Sequence, residues 1–257
     1  MWLKSDWLTS MVKTYDPRAA LDAAIRNKMY TQPRAKAFSL SAYADAEGSG
    51  EGAVFERALK RALDPDVARM IRRHQQDENQ HARWLTERRV ALGLPEETIP
   101  AHLKTIERLS EESGGTLDLP MTEDEHVAEV YALLYVVEER ALEEFDHAAR
   151  GLEAVGDTES AALFRTIAKD EERHLRYCTA IGNRYGGGEA AFTGRVARMR
   201  AIEARVYAAQ QRAFTQYLLD TGRLVLPWWI RAVTTPMMAV ANALHLSGPA
   251  ARPPVWA

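Results

Sequence analysis

Asp77-Glu78-Asn79-Gln80-His81-Ala82-Arg83-Trp84 and Asp170-Glu171-Glu172-Arg173-His174-Leu175-Arg176-Tyr177 follow one pattern: two acids, two variable residues, His, one variable residue, Arg, an aromatic. In each octet a Glu precedes a His by three residues. On an α-helix, positions i and i+3 share a face, so carboxylate and imidazole can meet one cation from a single turn. One such pair arises easily on a solvated face of a Glu-rich helix; two copies in matching surroundings do not.

The surroundings do match. Asp64 lies 14 residues before Glu78, and Asp157 lies 14 before Glu171. Upstream of each pair a further Glu is set on an otherwise apolar helical face: Glu138 is 33 residues before Glu171, and Glu47 is 31 before Glu78. The chain therefore reads as one helical hairpin used twice. The first copy comprises stretch 34–63 followed by 64–92, the second 122–154 followed by 157–185. In each, the lone Glu and the Glu-x-x-His turn stand about equally far from the connecting turn and so meet at one level. The Gly-rich centre Gly48-Ser49-Gly50-Glu51-Gly52 is a poor helix former. It is read as a continuous helix whose bare backbone leaves room beside a site, or else as a loop that splits the stretch into two helices, with Glu51 as the alternative to Glu47.

If the hairpins face each other, Glu47, Glu78, His81, Glu138, Glu171 and His174 converge. Four clustered carboxylates cannot stay ionised in an apolar interior without positive charge, and two divalent ions supply it. Mixed carboxylate and imidazole donors suit iron or manganese better than thiolate-rich structural zinc sites do. His74, four before Glu78, is either a further ligand or a satisfied buried His. Asp77 and Asp170 are each placed to accept the spare N–H of a ligating His on the opposite helix. Arg83 and Arg176 are expected to pair with those acids, and Tyr135 to line the site.

The rest of the 257-residue chain bounds this reading. Residues 1–33 read as an N-terminal helical extension, with Asp16-Pro17 as its start signal and Pro33 as its stop. Residues 94–122, broken by Pro and Gly, carry a short helix over 99–109 and suit one long crossover between helix pairs. After Gly186-Gly187-Gly188 a fifth helix is expected over 194–220. From Thr193 onward eight Arg face Glu203 and Asp220, a local +6 that leaves −9 for the rest of a chain whose total is −3. That modest patch on an acidic chain does not point to nucleic acid. The apolar run 224–246 has the length of a membrane span but contains Pro227, Arg231 and Pro236. It reads as a packed cap or homodimer contact, with a membrane-surface segment or substrate lid as the alternative. Cys178 is the single cysteine, so no intrachain disulfide and no Cys-x-x-Cys redox module exists in this sequence. With charge breaking the first apolar residues, the expectation is a cytoplasmic protein, or one peripheral to a membrane.

These residues resemble the ferritin-like superfamily of di-iron carboxylate proteins, over about 34–185. The Asp-Glu-x-x-His form resembles that of di-iron oxygenases, and the spacing is closer to the rubrerythrin-like branch. The resemblance implies an all-α, ferritin-like four-helix bundle with one long crossover (34–185), preceded by 1–33 and followed by a basic helix and apolar tail (194–257). It implies two iron ions, or a Mn/Fe pair, held by the six residues and reacting with dioxygen or peroxide, with an external electron donor. The functions to be weighed are an oxidase or oxygenase of a small apolar molecule, a rubrerythrin-like peroxidase or ferroxidase, and a metal-stabilised scaffold that binds a partner or a membrane surface.

Overall fold

The structure is a computed structural model that describes residues 17–49, 52–61 and 65–232. Among them every regular element is helical. The longer ones are α1 (Pro17–Thr31), α2 (Pro33–Ser49), α3 (Gly52–Lys60), α4 (Pro65–Ala91), α5 (Thr105–Glu112), α6 (Asp124–Ala154), α7 (Thr158–Tyr185) and α8 (Glu189–Asp220). None of these helices is long and apolar enough to cross a membrane. Asp16, Glu51, Asp64 and the tail from 233 onward, with most of the apolar run, lie outside the described residues, as does the continuity of the helix at 50–51.

Helices α2 and α3 pack on α4, α6 packs on α7, and the two pairs meet where α4 lies against α7. The apolar stripes anticipated from spacing turn inward. Val67, Ile71 and Leu85 of α4 are fully buried, as are Val127, Val130, Tyr131, Leu134 and Phe145 of α6 and Phe164 and Ile167 of α7. Close approach is bought at two glycines. A Cβ on Gly48 would lie 3.1 Å from the Ala82 Cβ, so its bareness serves the contact of α2 with α4. A Cβ on Gly182 would lie 2.1 Å from the Phe192 ring, which is itself buried, so Gly182 admits α8 onto α7.

One residue ties three helices at one end of the bundle. Asp157 caps α7 by accepting the Ser160 N–H at 3.1 Å. It also pairs with Lys36 of α2 and, at 2.8 Å, with Arg88 of α4. A carboxylate at a helix N-terminus is favoured by the unpaired N–H groups and the helix dipole; the two cations add to that.

Three boundaries differ from the sequence expectation. The α8 helix begins at Glu189 rather than 194, since Gly186–Gly188 ends α7 and nothing after it breaks the helix. The crossover helix is α5, Thr105–Glu112, preceded by the 3-10 turn Ala101–Leu103. Pro33 does not end a helix but opens α2, the position where its missing N–H costs nothing.

The basic helix is part of the packed body. Arg195 meets Glu129 at 3.0 Å, Arg200 meets Glu139 at 2.6 Å, and Glu203 of α8 receives Arg140 of α6 at 2.8 Å. Arg198 also pairs with Glu129. Much of the local positive charge therefore complements the acidic outer face of α6. Beyond α8, Leu224, Leu226 and Ile230 are buried against Phe38 and the crossover residues Ile99 and Leu103. Trp228 and Trp229 stay exposed, at 81% and 53%.

Candidate metal centre

Four helices each turn an acid into the interior at one level: Glu47 from α2, Glu78 from α4, Glu138 from α6 and Glu171 from α7. Helix α4 adds His74 and His81, and α7 adds His174. The spacing 74, 78, 81 on α4 is the i, i+4, i+7 stripe that begins with Val67 and Ile71, so the helix that buries the valine also buries the ligands. Glu138 and Glu171 are only 3% and 1% exposed, and the three imidazoles are buried.

Their donor atoms form two groups, in each of which every atom lies within 4.8 Å of the others: Glu47, Glu78, His81 and Glu171 in one, His74, Glu78, Glu138 and His174 in the other. Glu78 belongs to both. Its Oε1 is 2.9 Å from His174 Nδ1 and 3.2 Å from His74 Nε2, while Oε2 is 3.6 Å from His81 Nδ1. Glu171 is disposed in the same way, with Oε1 3.2 Å from His81 Nδ1 and Oε2 2.7 Å from His174 Nδ1. The outer acids serve one group each. Glu47 Oε2 is 3.0 Å from His81 Nδ1, and Glu138 Oε1 is 2.8 Å from His74 Nε2.

His81 and His174 both point Nδ1 at the carboxylates and Nε2 away from them. Asp170 Oδ2 lies 3.2 Å from His81 Nε2, and Asp77 Oδ2 lies 3.3 Å from His174 Nε2. The pairing is reciprocal: each Asp stands beside the Glu of its own helix and holds the His of the other. Such a partner fixes the ring, so that Nδ1, once it has lost its proton, would aim its lone pair inward.

Arg83 and Arg176 do not take the roles expected of them. Each follows its octet's His by two residues, about 200° around the helix, and so points away. Arg83 contacts Gln80 and Glu87, and Arg176 is exposed in a surface groove. Arg173 pairs with the acids instead, 2.5 Å from Asp77 and 2.8 Å from Asp170, helped by Arg73 at 3.1 Å from Asp77. Its counterpart in the first octet is Gln80, so comparing the two copies could not find it. The i, i+3 spacing of Asp170 and Arg173 is the signal that could have. Tyr135 is also displaced. It is three residues from Glu138, about 60° off that face, and its ring lies against Phe192 and beneath Arg200 of α8. His74, the less favoured ligand in the sequence reading, lies inside the cluster with its ring stacked on His174 at 3.9 Å.

The electrostatics divide the acids into two kinds. Burial, reinforced by the nearby Glu78, holds the Glu47 carboxyl well above the usual carboxylate range. Burial and the neighbouring Glu171 push Glu138 up to about 8. Burial also disfavours charge on Glu78 and Glu171, but their imidazole neighbours outweigh it and hold both below the ordinary value. His81 and His174 are shifted far up, since contacts with these acids overcome a burial effect of opposite sign. Asp77 is lowered to about 2, the pull of His174 and Arg173 exceeding the cost of its burial. Protons thus offset charge in the metal-free cluster: His74, His81 and His174 are all shifted toward imidazolium, Glu78 and Glu171 toward carboxylate, and Glu47 and Glu138 toward neutral carboxyl.

That balance leaves a gap which a metal pair fits. Glu78 Oε1 and Glu171 Oε1 are buried and have no hydrogen-bond partner among the described residues, although imidazole nitrogens stand close by. Both oxygens belong to the two acids that span the groups, where a cation on either side would satisfy them. No family model, curated protein or solved structure matches this chain.

Proposed function

We propose that the chain is a ferritin-like two-metal carboxylate oxidoreductase, holding two iron ions or a manganese–iron pair. The observation that carries the reading is the pair of four-donor groups sharing Glu78, buried at one level of the bundle. Bound there, the ions would supply electron exchange with dioxygen or peroxide.

The chain's own residues do the rest. Glu78, which belongs to both donor groups, and Glu171, which reaches both His81 and His174, would hold ions in either position, and Glu47 and Glu138 would each hold one. Asp77 and Asp170 orient the imidazoles, and Arg173 holds both aspartates in place. Tyr43, Phe145 and Phe164 pack together two turns or less from the ligands Glu47, Glu138 and Glu171 and keep water from that side; the Tyr43 and Phe164 rings are 5.0 Å apart. Phe55 covers His74 on the other side, at 4.7 Å. The sequence holds no redox-active thiol pair, so as an oxidase or oxygenase the chain would take electrons from an external donor, and as a ferroxidase from Fe(II) itself.

An oxidase or oxygenase of a small apolar molecule needs room beside the ions. Two surface grooves, at Trp84–Leu163 and at Tyr135–Leu175, are lined by other residues. The second reading, a peroxidase or ferroxidase whose only substrates are Fe(II) and a small oxidant, needs no such room. The test is to load stripped protein with Fe(II) and follow oxidation by dioxygen and by peroxide. Two irons per chain and rapid oxidation, both lost in Glu78→Ala, support the proposal. Fewer than two ions per chain, or loaded protein inert to both oxidants, refute it. Hydroxylation of an added apolar compound would decide for the oxygenase.

A further inference from the structure

The two donor groups are not alike. The group at Glu47 offers one imidazole, His81, among three carboxylates. The group at Glu138 offers two, His74 and His174, with Glu78 and Glu138, and Glu171 Oε2 stands 2.7 Å from His174 Nδ1. The repeated octets cannot produce this difference, because the residue that makes it lies outside them. His74 precedes Glu78 by four, and the residue four before Glu171 in the second copy is Ile167, buried in the apolar core. His74 is aimed rather than merely accommodated. Its ring is held between Phe55 at 4.7 Å and His174 at 3.9 Å, and its Nε2 is 2.8 Å from Glu138 and 3.2 Å from Glu78.

We propose that His74 makes the two ion positions unequal. The Glu138 position fills first and selects an ion that prefers imidazole, whereas the Glu47 position fills second and accepts a harder ion such as Mn(II). The inference rests on the two-metal reading above. Its chemical basis is donor type: imidazole suits iron, cobalt and zinc, carboxylate oxygen suits manganese and magnesium, and affinities at nitrogen-rich sites rise steeply along the first row. A second nitrogen donor therefore raises the affinity of one position for the later metals while changing little for Mn(II). The shared acid Glu78 cannot create the difference, since it belongs to both groups, and Glu171 reaches the imidazoles of both, 3.2 Å from His81 Nδ1 and 2.7 Å from His174 Nδ1.

The test is calorimetric titration of the stripped full chain with Zn(II), and separately with Mn(II), with bound ions counted by elemental analysis. The expected result is two Zn(II) steps separated by about tenfold or more, the scale on which even an orienting partner of a ligand acts, and Mn(II) steps that lie closer together. In His74→Ala and in His74→Gln the first Zn(II) step weakens by about the same factor and the second does not. In Glu47→Gln the second step is lost and the first remains. His74→Gln keeps a hydrogen-bond donor, so a role limited to hydrogen-bonding Glu138 would leave its titration unchanged. Far-ultraviolet circular dichroism checks that the variants remain helical. A first step that survives in His74→Gln, or that is lost in Glu47→Gln while the second persists, overturns the inference and leaves the two-metal reading standing. Failure of the unmodified chain to bind two ions overturns both.

Discussion

Loading the centre with metal should expel protons, and the structure gives the number. The perturbation is the addition of two divalent ions to stripped protein at pH 7. In the metal-free cluster His81 and His174 are held as imidazolium by the acids around them. Glu47 and Glu138 are shifted toward the neutral carboxyl, Glu47 well above the usual range and Glu138 up to about 8. All four use the atoms that a metal would take, and a ligand atom must lose its proton to bind. Glu78 and Glu171 are already ionised and contribute none. About four protons should therefore leave as the two ions bind, and a fifth to the extent that His74, raised by Glu138 and Glu78 against its burial, carries one. The sign follows directly: a reaction that releases protons strengthens as pH rises. With four released, one pH unit changes the overall affinity about 10⁴-fold, or about 5 kcal/mol. The slope drops by about one above pH 8, where Glu138 ionises by itself. Calorimetry in buffers of different protonation enthalpy reads the number from the slope of observed heat against buffer enthalpy. His81→Ala should lower it by about one. A release of one proton or none, with two ions bound, would refute the assignment of these residues as the ligands.

Other expectations concern the supports of the site and the fold. Asp77→Asn and Asp170→Asn should each weaken ion binding by about 10–100-fold, measured by competition with a chelator, because each removes the charged partner of a ligating imidazole. Asp157→Ala should destabilise the chain by about 2 kcal/mol at pH 7, combining a lost N-cap with the loss of Lys36 and Arg88 as charge partners. Asp157 is held below its usual value, by Lys36, Ser160 and Arg88 against the effect of burial. Its contribution is therefore present above about pH 4 and fades as the pH falls through the lower folded value. Urea denaturation should show the variant and the unmodified chain converging in acid; an equal gap at all pH values would contradict the charge component. Gly182→Ala should cost about 1–3 kcal/mol by overpacking against Phe192, despite the better helix propensity of Ala. Phe192→Leu in the same chain should recover much of the loss in thermal melts; no recovery would place the strain elsewhere.

The sequence by itself determined that the chain is helical and that two turns of it carry Glu-x-x-His. It also put Glu47 and Glu138 on inward faces and made Asp77 and Asp170 partners for histidines of the opposite helix. All of these follow from a rotation of about 100° per residue, a local property that any stretch of helix obeys. Only the tertiary structure decided which neighbour each face meets. It brought in His74, because Phe55 and His174 close around that ring. It gave the pairing of both aspartates to Arg173 and left Arg83 and Arg176 on the far side of their helices. It turned Tyr135 toward α8 and matched the arginines of α8 to acids of α6. A side chain's direction is written in its own few residues, but what it touches depends on helices 60 or 100 positions away, brought alongside only when the apolar stripes pack.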